Sequence, residues 1–454
     1  MLIDKTLASA DLLPSIQRMW ELSAVKIRAI EATCPADTAA PVFTADGRYT
    51  SRGWTDWTRG FQYGSALLQY DATGENVFLD IGRAGTARHM APHVTHTGVH
   101  DHGFNNVSTY GNLWRLMSEG RVEENEWERR LYELALRCSA SVQASRWTVL
   151  PDGGYIYSFN GPHSLFADTI RSLRVLALGH RLGHVLYAEN DRPVSLLGRL
   201  LDHAHTTARY TVYYGEGRDH YDVRGRVAHE SIFNVNNGSY RCPSTQQGYS
   251  PFSTWTRGLA WVMLGFAEQL EFLRELADSE LTPFGGRQSI DASLSAAAAA
   301  ACDFYLESTP ADGVPYWDTG APGLVHLGDY RAKRADPFNE HEPVDSSAAA
   351  IAAQGLLRFS RWLGAQDNNA RRYRQAGLTI LRSLLRPPYL SEAEDHQGLL
   401  LHSIYHRPNG WDHIPEGQSV PCGESSMWGD YHLREAALLV QREAAGERYL
   451  TFYS

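Results

Sequence analysis

Asp345-Ser346-Ser347-Ala348-Ala349-Ala350-Ile351-Ala352-Ala353 reads as the opening of a helix packed on more than one side. Asp345 suits the capping position, where a carboxylate accepts from backbone amides that the first turn leaves free. Gly364 follows the last residue of the apolar stripe, where a C-terminal glycine is favoured. The small side chains at 348–353 let neighbouring helices come close, as an inner-ring helix requires, and the run 296–301 carries the same expectation. High helix propensity alone would also favour alanine. Outward from this segment, apolar spacings of three and four begin at Leu13, Ile16, Met19 and Trp20. They recur near 60–71, 105–118, 125–143, 165–182, 193–211, 255–275, 288–306, 368–385 and 425–443. Strand-like alternation is scarce, and Pro387-Pro388 stops one helix. No linker, charge run or further low-complexity stretch divides the chain. The pattern predicts an all-α single domain over 1–454, about a dozen helices in hairpins forming a toroid whose loops at one end build a cleft.

Composition sets the class. Of 454 residues, 43% are hydrophobic and 21% charged, values that suit a packed core and argue against disorder. A net charge of −10 gives no electrostatic support for nucleic-acid binding, so an acidic ligand needs a local donor cluster. Cys34, Cys138, Cys242, Cys302 and Cys422 are odd in number and widely spaced, which fits a reducing compartment. The N-terminus lacks a signal-like pattern and no apolar run approaches membrane-spanning length, so a cytoplasmic location is expected, with no membrane partner. The oligomeric state cannot be read.

The chemistry concentrates in His100-Asp101-His102-Gly103-Phe104, an acid between two imidazoles. Such a carboxylate suits general acid/base work. A second acid, Asp168, stands in the apolar run Leu165-Phe166-Ala167-Asp168-Thr169-Ile170, where burial would hold its proton toward neutral pH while a better solvated partner stays ionised. Either acid alone also fits a turn or cap. His89, His93, His96, His100 and His102 invite a metal reading, but no cysteine is near and the His-Glu-x-x-His signature is absent. No metal and no cofactor is expected. Trp54 and Trp57, then Trp255 and Trp261, offer flat faces for sugar rings, next to Gln246-Gln247-Gly248-Tyr249. A free guanidinium at Arg257 is expected to pair with a carboxylate.

Taken in chain order, these motifs resemble the unsaturated glucuronyl hydrolases of glycoside hydrolase family 88. The resemblance runs from about Trp57 to Leu439. It is carried by Trp57-Thr58-Arg59-Gly60-Phe61, His100-Asp101-His102-Gly103-Phe104 and Phe166-Ala167-Asp168. His229, Gln247-Gly248-Tyr249, Ser253-Thr254-Trp255-Thr256-Arg257-Gly258, Asp345-Ser346-Ser347-Ala348-Ala349 and Trp428-Gly429-Asp430-Tyr431-His432 complete it. It implies an (α/α)6 barrel and a glycosidase that hydrates the C4–C5 double bond of a 4,5-unsaturated uronic acid at the non-reducing end of lyase-generated oligosaccharides. By the match, Asp168 is the general acid/base and Asp101 its partner. Trp57, His100, His229, Gln247, Trp255, Arg257 and Trp261 are substrate-binding. Gln62, Phe159, His102 and Thr169-Ile170-Arg171 depart from the family pattern at positions expected around the pocket. Unsaturated rhamnogalacturonyl hydrolases share the implied fold and one aspartate, and the paired aspartates favour the glucuronyl group. A metal-assisted polysaccharide lyase and a non-catalytic glycan-binding toroid are the remaining alternatives.

Overall fold

The computed structural model describes residues 1–33, 39–51 and 57–453, so Cys34 and Trp54 lie outside the described residues. Helices alternate between an outer and an inner ring. The outer ring comprises α1 (Leu13–Thr33), α3 (Asn76–His89), α6 (Glu126–Ser145), α9 (Leu196–Tyr210), α11 (Arg287–Ser308) and α13 (Asn368–Leu384). The inner ring comprises α2 (Arg59–Thr73), α4 with α5 (His102–Asn106, Asn112–Ser118), α7 with α8 (Thr169–Ser172, Arg174–Arg181), α10 (Thr256–Arg274), α12 (Ser346–Leu363) and α14 (Met427–Ala445). A π-helical turn, Val107–Gly111, joins α4 to α5. Each inner element packs on the next and α14 returns to α2, which closes the ring. The architecture is the expected all-α toroid.

Burial explains why the two rings read differently in sequence. Residues 254–270 and 346–360 are buried on every side, so α10 and α12 carry almost no polar stripe. Outer helices bury one face only. The alanine run 348–353 lies in inner α12, as expected, whereas 296–301 lies in α11, whose outward face is partly exposed. Alanine there reflects a close approach on one side only. Asp345 caps α12, its Oδ1 accepting from the amides of Ser347 and Ala348 at 3.1 and 3.4 Å. Gly364 ends the helix at φ +88°.

Inner helices meet at backbone distance. A Cβ on Gly355 would lie 2.9 Å from the Leu264 amide nitrogen of α10. A Cβ on Gly103 would lie 2.0 Å from the Ser172 carbonyl oxygen of α7. Deep in the ring, Arg171 pairs with Glu268 at 3.1 Å and Glu435 at 3.0 Å, tying α7 to α10 and α14. Short strands decorate the loops. The three-stranded antiparallel sheet β1–β2–β3 (Ser164–Phe166, Glu230–Phe233, Tyr240–Ser244) matters most, because it lies beside the inner-helix N-termini.

Helix α3 carries no stripe strong enough to be read from sequence. Its Gly82 and Gly85 stand where Leu67 and Tyr63 of α2 press in, leaving no apolar side chain to mark the period.

Gly355→Ala is expected to destabilise the protein by about 1–3 kcal/mol through overpacking of α12 on α10. Denaturant unfolding would measure it, and an unchanged midpoint would contradict the backbone contact.

Candidate active site

The inner helices converge with their N-termini at one end, where a cavity of about 250 Å³ opens. It is lined by Trp57, His100, Asp101, Asp168, Gln247, Trp255, Arg257 and Trp261, together with neighbours discussed below. His229 packs just behind, its ring 4.7 Å from Phe166 and 4.6 Å from Trp255. All nine residues singled out in sequence thus fall in one place.

Two inner helices present the acids. Asp101 precedes α4 and Asp168 precedes α7, and neither side chain caps its helix. Both carboxylates turn instead to the same imidazole. His100 Nε2 donates to Asp168 Oδ1 at 3.3 Å and lies 3.7 Å from Asp101 Oδ1. Sheet β1–β2–β3 sets the far side, since Ala167 N donates to the His229 carbonyl at 2.9 Å and so fixes Asp168 beside His229. His229 Nδ1 accepts from the amides of Gln246 and Gln247 at 3.0 and 3.2 Å. That acceptor role leaves the proton on Nε2.

The electrostatics reverse one expectation. Burial works to raise the Asp168 carboxyl, but the hydrogen bond from His100 and the charge of His100 bring it below the usual carboxylate value. Asp101 is the acid held above its usual value, by burial and by the like charge of Asp168, with His100 and Arg146 offsetting only part. Burial lowers His100, yet the charge of Asp101 and the bond to Asp168 raise it overall. These directions favour an ionised Asp168 beside a proton-bearing His100, with Asp101 the more readily protonated of the two acids. Ala167 and Ile170 beside Asp168 pack in the core, while Phe166 lines the cavity and the Asp168 carboxylate faces an imidazole.

A second expectation also changes. The Arg257 guanidinium is buried and engaged, donating to Asp345 Oδ2 at 3.0 Å, Gln247 Oε1 at 2.8 Å, the Tyr405 carbonyl at 2.7 Å and the Ile404 carbonyl. It is stacked 4.6 Å over Trp255 and 5.0 Å over Trp428. Arg257 is a clamp that holds the cap of α12, the loop at 404–405 and the Gln247 amide together. Trp261 is likewise almost fully buried, forming floor with Phe104 and His432 at 4.9 Å each. Trp57 stacks on Trp428 at 4.9 Å.

Of the family departures, only Phe159 lines the cavity, its ring 6.0 Å from and stacked on that of His100. Gln62 lies toward α1, beside Ile27 and Ile30. His102 turns to Ser139 Oγ at 2.9 Å, and Arg171 belongs to the central ion pairs. The other histidines disperse too. His89 lies against Tyr63 at 5.8 Å, His93 meets Asn105 at 3.1 Å, and the His96 carbonyl accepts from His102. Among the described residues no group of three or more such side chains could hold a metal.

Sequence reading missed the far wall. Tyr405, His406 and Trp411 line the cavity from a loop that Asp412 folds by accepting from the amides of Tyr405 and His406. The only signal was an aromatic and histidine-rich interval between helical stripes.

No family model matches the chain. It is 27% identical over 421 residues to the unsaturated glucuronyl hydrolase of Bacillus sp. (strain GL1), covering 90% of this chain and 92% of that protein. It is 24% identical over 404 residues to the unsaturated chondroitin disaccharide hydrolase of Streptococcus pyogenes serotype M1, covering 87% and 84%. Its structure superposes with a TM-score of 0.70 on the crystal structure of the unsaturated glucuronyl hydrolase from Bacillus sp. GL1, at 24% identity over 95% of this chain and 97% of that one. An unsaturated glucuronyl hydrolase specific for heparin gives 0.73 at 19% identity, covering 95% and 98%. The chain is a relative of the unsaturated glucuronyl hydrolases over most of its length and shares their fold.

The buried histidines make an acid-lability prediction. Burial depresses His102, His229, His402 and His406 to about 4, and His203 and His432 to about 3. An unfolded histidine protonates near pH 6.5, so the unfolded chain takes up protons first and stability falls as pH drops from about 6.5 toward 4. His203→Gln should lessen that fall in thermal midpoints taken across the range. An equal fall in the variant would contradict the neutral burial of His203.

Proposed function

We propose that this chain is a glycoside hydrolase that releases a 4,5-unsaturated uronic acid from the non-reducing end of oligosaccharides by hydrating the C4–C5 double bond. The observation that carries the proposal is the His100 imidazole set between Asp101 and Asp168 in an aromatic-walled cavity. An enol ether needs a proton at C4 and a water at C5, and a carboxylate paired with a proton-bearing imidazole supplies both without a metal ligand set.

Asp168 is the group that meets the substrate in this proposal. It is ionised at rest. The uronate brings negative charge and expels water, and both changes raise the affinity of Asp168 for a proton. His100, hydrogen-bonded to it, is the source. Asp168 gives the proton to C4, and the returned carboxylate takes one from the water that attacks C5. The resulting hemiketal opens as the C5–ring oxygen bond breaks and C5 becomes a ketone. C1, now a hemiacetal, expels the remaining sugar with its glycosidic oxygen, so one water is consumed in all. The partner is an unsaturated uronate-containing oligosaccharide. Trp57 and the aromatic floor bear on the apolar face of its ring, and Gln247 and His229 contact its hydroxyls and the water. No described helix is long and apolar enough to cross a membrane.

Loss of the ultraviolet absorbance of the conjugated double bond, followed on lyase-generated disaccharides, tests the activity directly. Asp168→Asn is expected to lower turnover about a hundredfold or more while the fold survives. Near-normal turnover would sink the role of Asp168. In Asp101→Asn, His100 loses the charge that raises it, so its proton leaves at lower pH and the alkaline limb of the rate profile moves toward acid. An unmoved limb would mean that Asp101 does not act on His100. In heavy-oxygen water, early product should carry label at C5 and not at the anomeric carbon.

A further inference from the structure

Outer helix α6 turns one polar stripe inward against the segment that carries His100 and Asp101. Ser139 and Gln143 lie four apart on one face of the helix, Arg146 follows its last residue, and all three are buried. Ser139 Oγ meets His102 Nδ1 at 2.9 Å. Gln143 Nε2 donates to the His100 carbonyl at 2.9 Å, which also accepts from Ser172 Oγ at 2.7 Å. Arg146, just past the last turn, donates to the Thr97 carbonyl and, through its other terminal nitrogen, to the carbonyls of Tyr157 and Ser158 at 3.2 and 2.8 Å. Its guanidinium lies 4.3 Å over the Tyr157 ring.

One planar cation thus ties together two segments that both reach the cavity lining. On one side is the loop entering His100. On the other is Ser158, next to Phe159, whose ring covers His100. No acid pairs with Arg146 among the described ion pairs, and the charges facing Asp101 are those of His100, Asp168, Arg146 and His96.

Resting on the hydrolase reading above, we infer that Arg146 is a positioning residue for the reaction: it fixes the approach of the His100–Asp101 segment to Asp168 and supplies the fixed positive charge that sets when this cluster holds its proton. Three carbonyls on two segments need a fork of donors, which an ammonium cannot replace. The charge opposes both protonated His100 and a neutral Asp101.

The test compares Arg146→Met and Arg146→Lys in the purified full chain, with kcat, KM and the pH profile followed by loss of the double bond. Arg146→Met should lose roughly ten- to a hundredfold in kcat with a smaller change in KM, as expected of misplaced groups. Its whole profile should move to higher pH, because both Asp101 and His100 then hold a proton longer. Arg146→Lys should keep the profile in place and still lose kcat. Wild-type kcat in Arg146→Met overturns the inference, as does a profile shift in Arg146→Lys as large as that in Arg146→Met. Should the methionine variant fail to fold, the lysine variant decides: reduced kcat with an unmoved profile supports the inference, and wild-type kcat overturns it. A wild-type chain that leaves the double bond intact overturns the hydrolase reading instead, before any variant is compared.

Discussion

Backbone contact between inner helices is the constraint on which the rest depends. Where α4 meets α7, Gly103 lies so close to the Ser172 carbonyl that any side chain would force the two apart. That closeness brings the residues just before each helix, Asp101 and Asp168, onto one imidazole. The Gly103 amide in turn donates to Ser172 Oγ at 2.9 Å, and Ser172 Oγ donates to the His100 carbonyl. A packing contact and the placement of the two acids on His100 are here the same few atoms. Interiors packed to crystal density transmit such displacements instead of absorbing them.

The ring also dictates the polarity of the site. Helices buried all round leave no side chain facing water, so groups that must meet a ligand collect at their ends and in the loops, and the charges within the ring pair with one another. Desolvation then acts on every titratable group at that end. It neutralises His229 and His406 and raises Asp101, while His100 and Asp168 escape it through their mutual hydrogen bond and charge.

Much of this was legible in the chain. The alternation of stripes gave the toroid, and Asp345 and Gly364 marked one inner helix end to end. The paired acids stood out because each lies at a helix start, where local sequence decides its place. Other features depend on tertiary neighbours and left no local mark. Helix α3 lost its period to the glycines that admit Tyr63 and Leu67. Tyr405, His406 and Trp411 reach the cavity only because Asp412 folds their loop. The protonation order of the two acids was misread for the same reason, since the partner that ionises Asp168 sits 68 residues away.

The Arg257 clamp has a consequence for how such a cavity can change over generations. Its guanidinium holds the carbonyls of residues 404 and 405, the cap of α12 and the Gln247 amide at once. An insertion or deletion near 404 would withdraw two of its acceptors at once, so chain length there is tied to the floor of the site. New substrate ranges are left to exchange of side chains farther along the same loop, at 406 and 411, where the backbone is already secured and only the wall is rewritten.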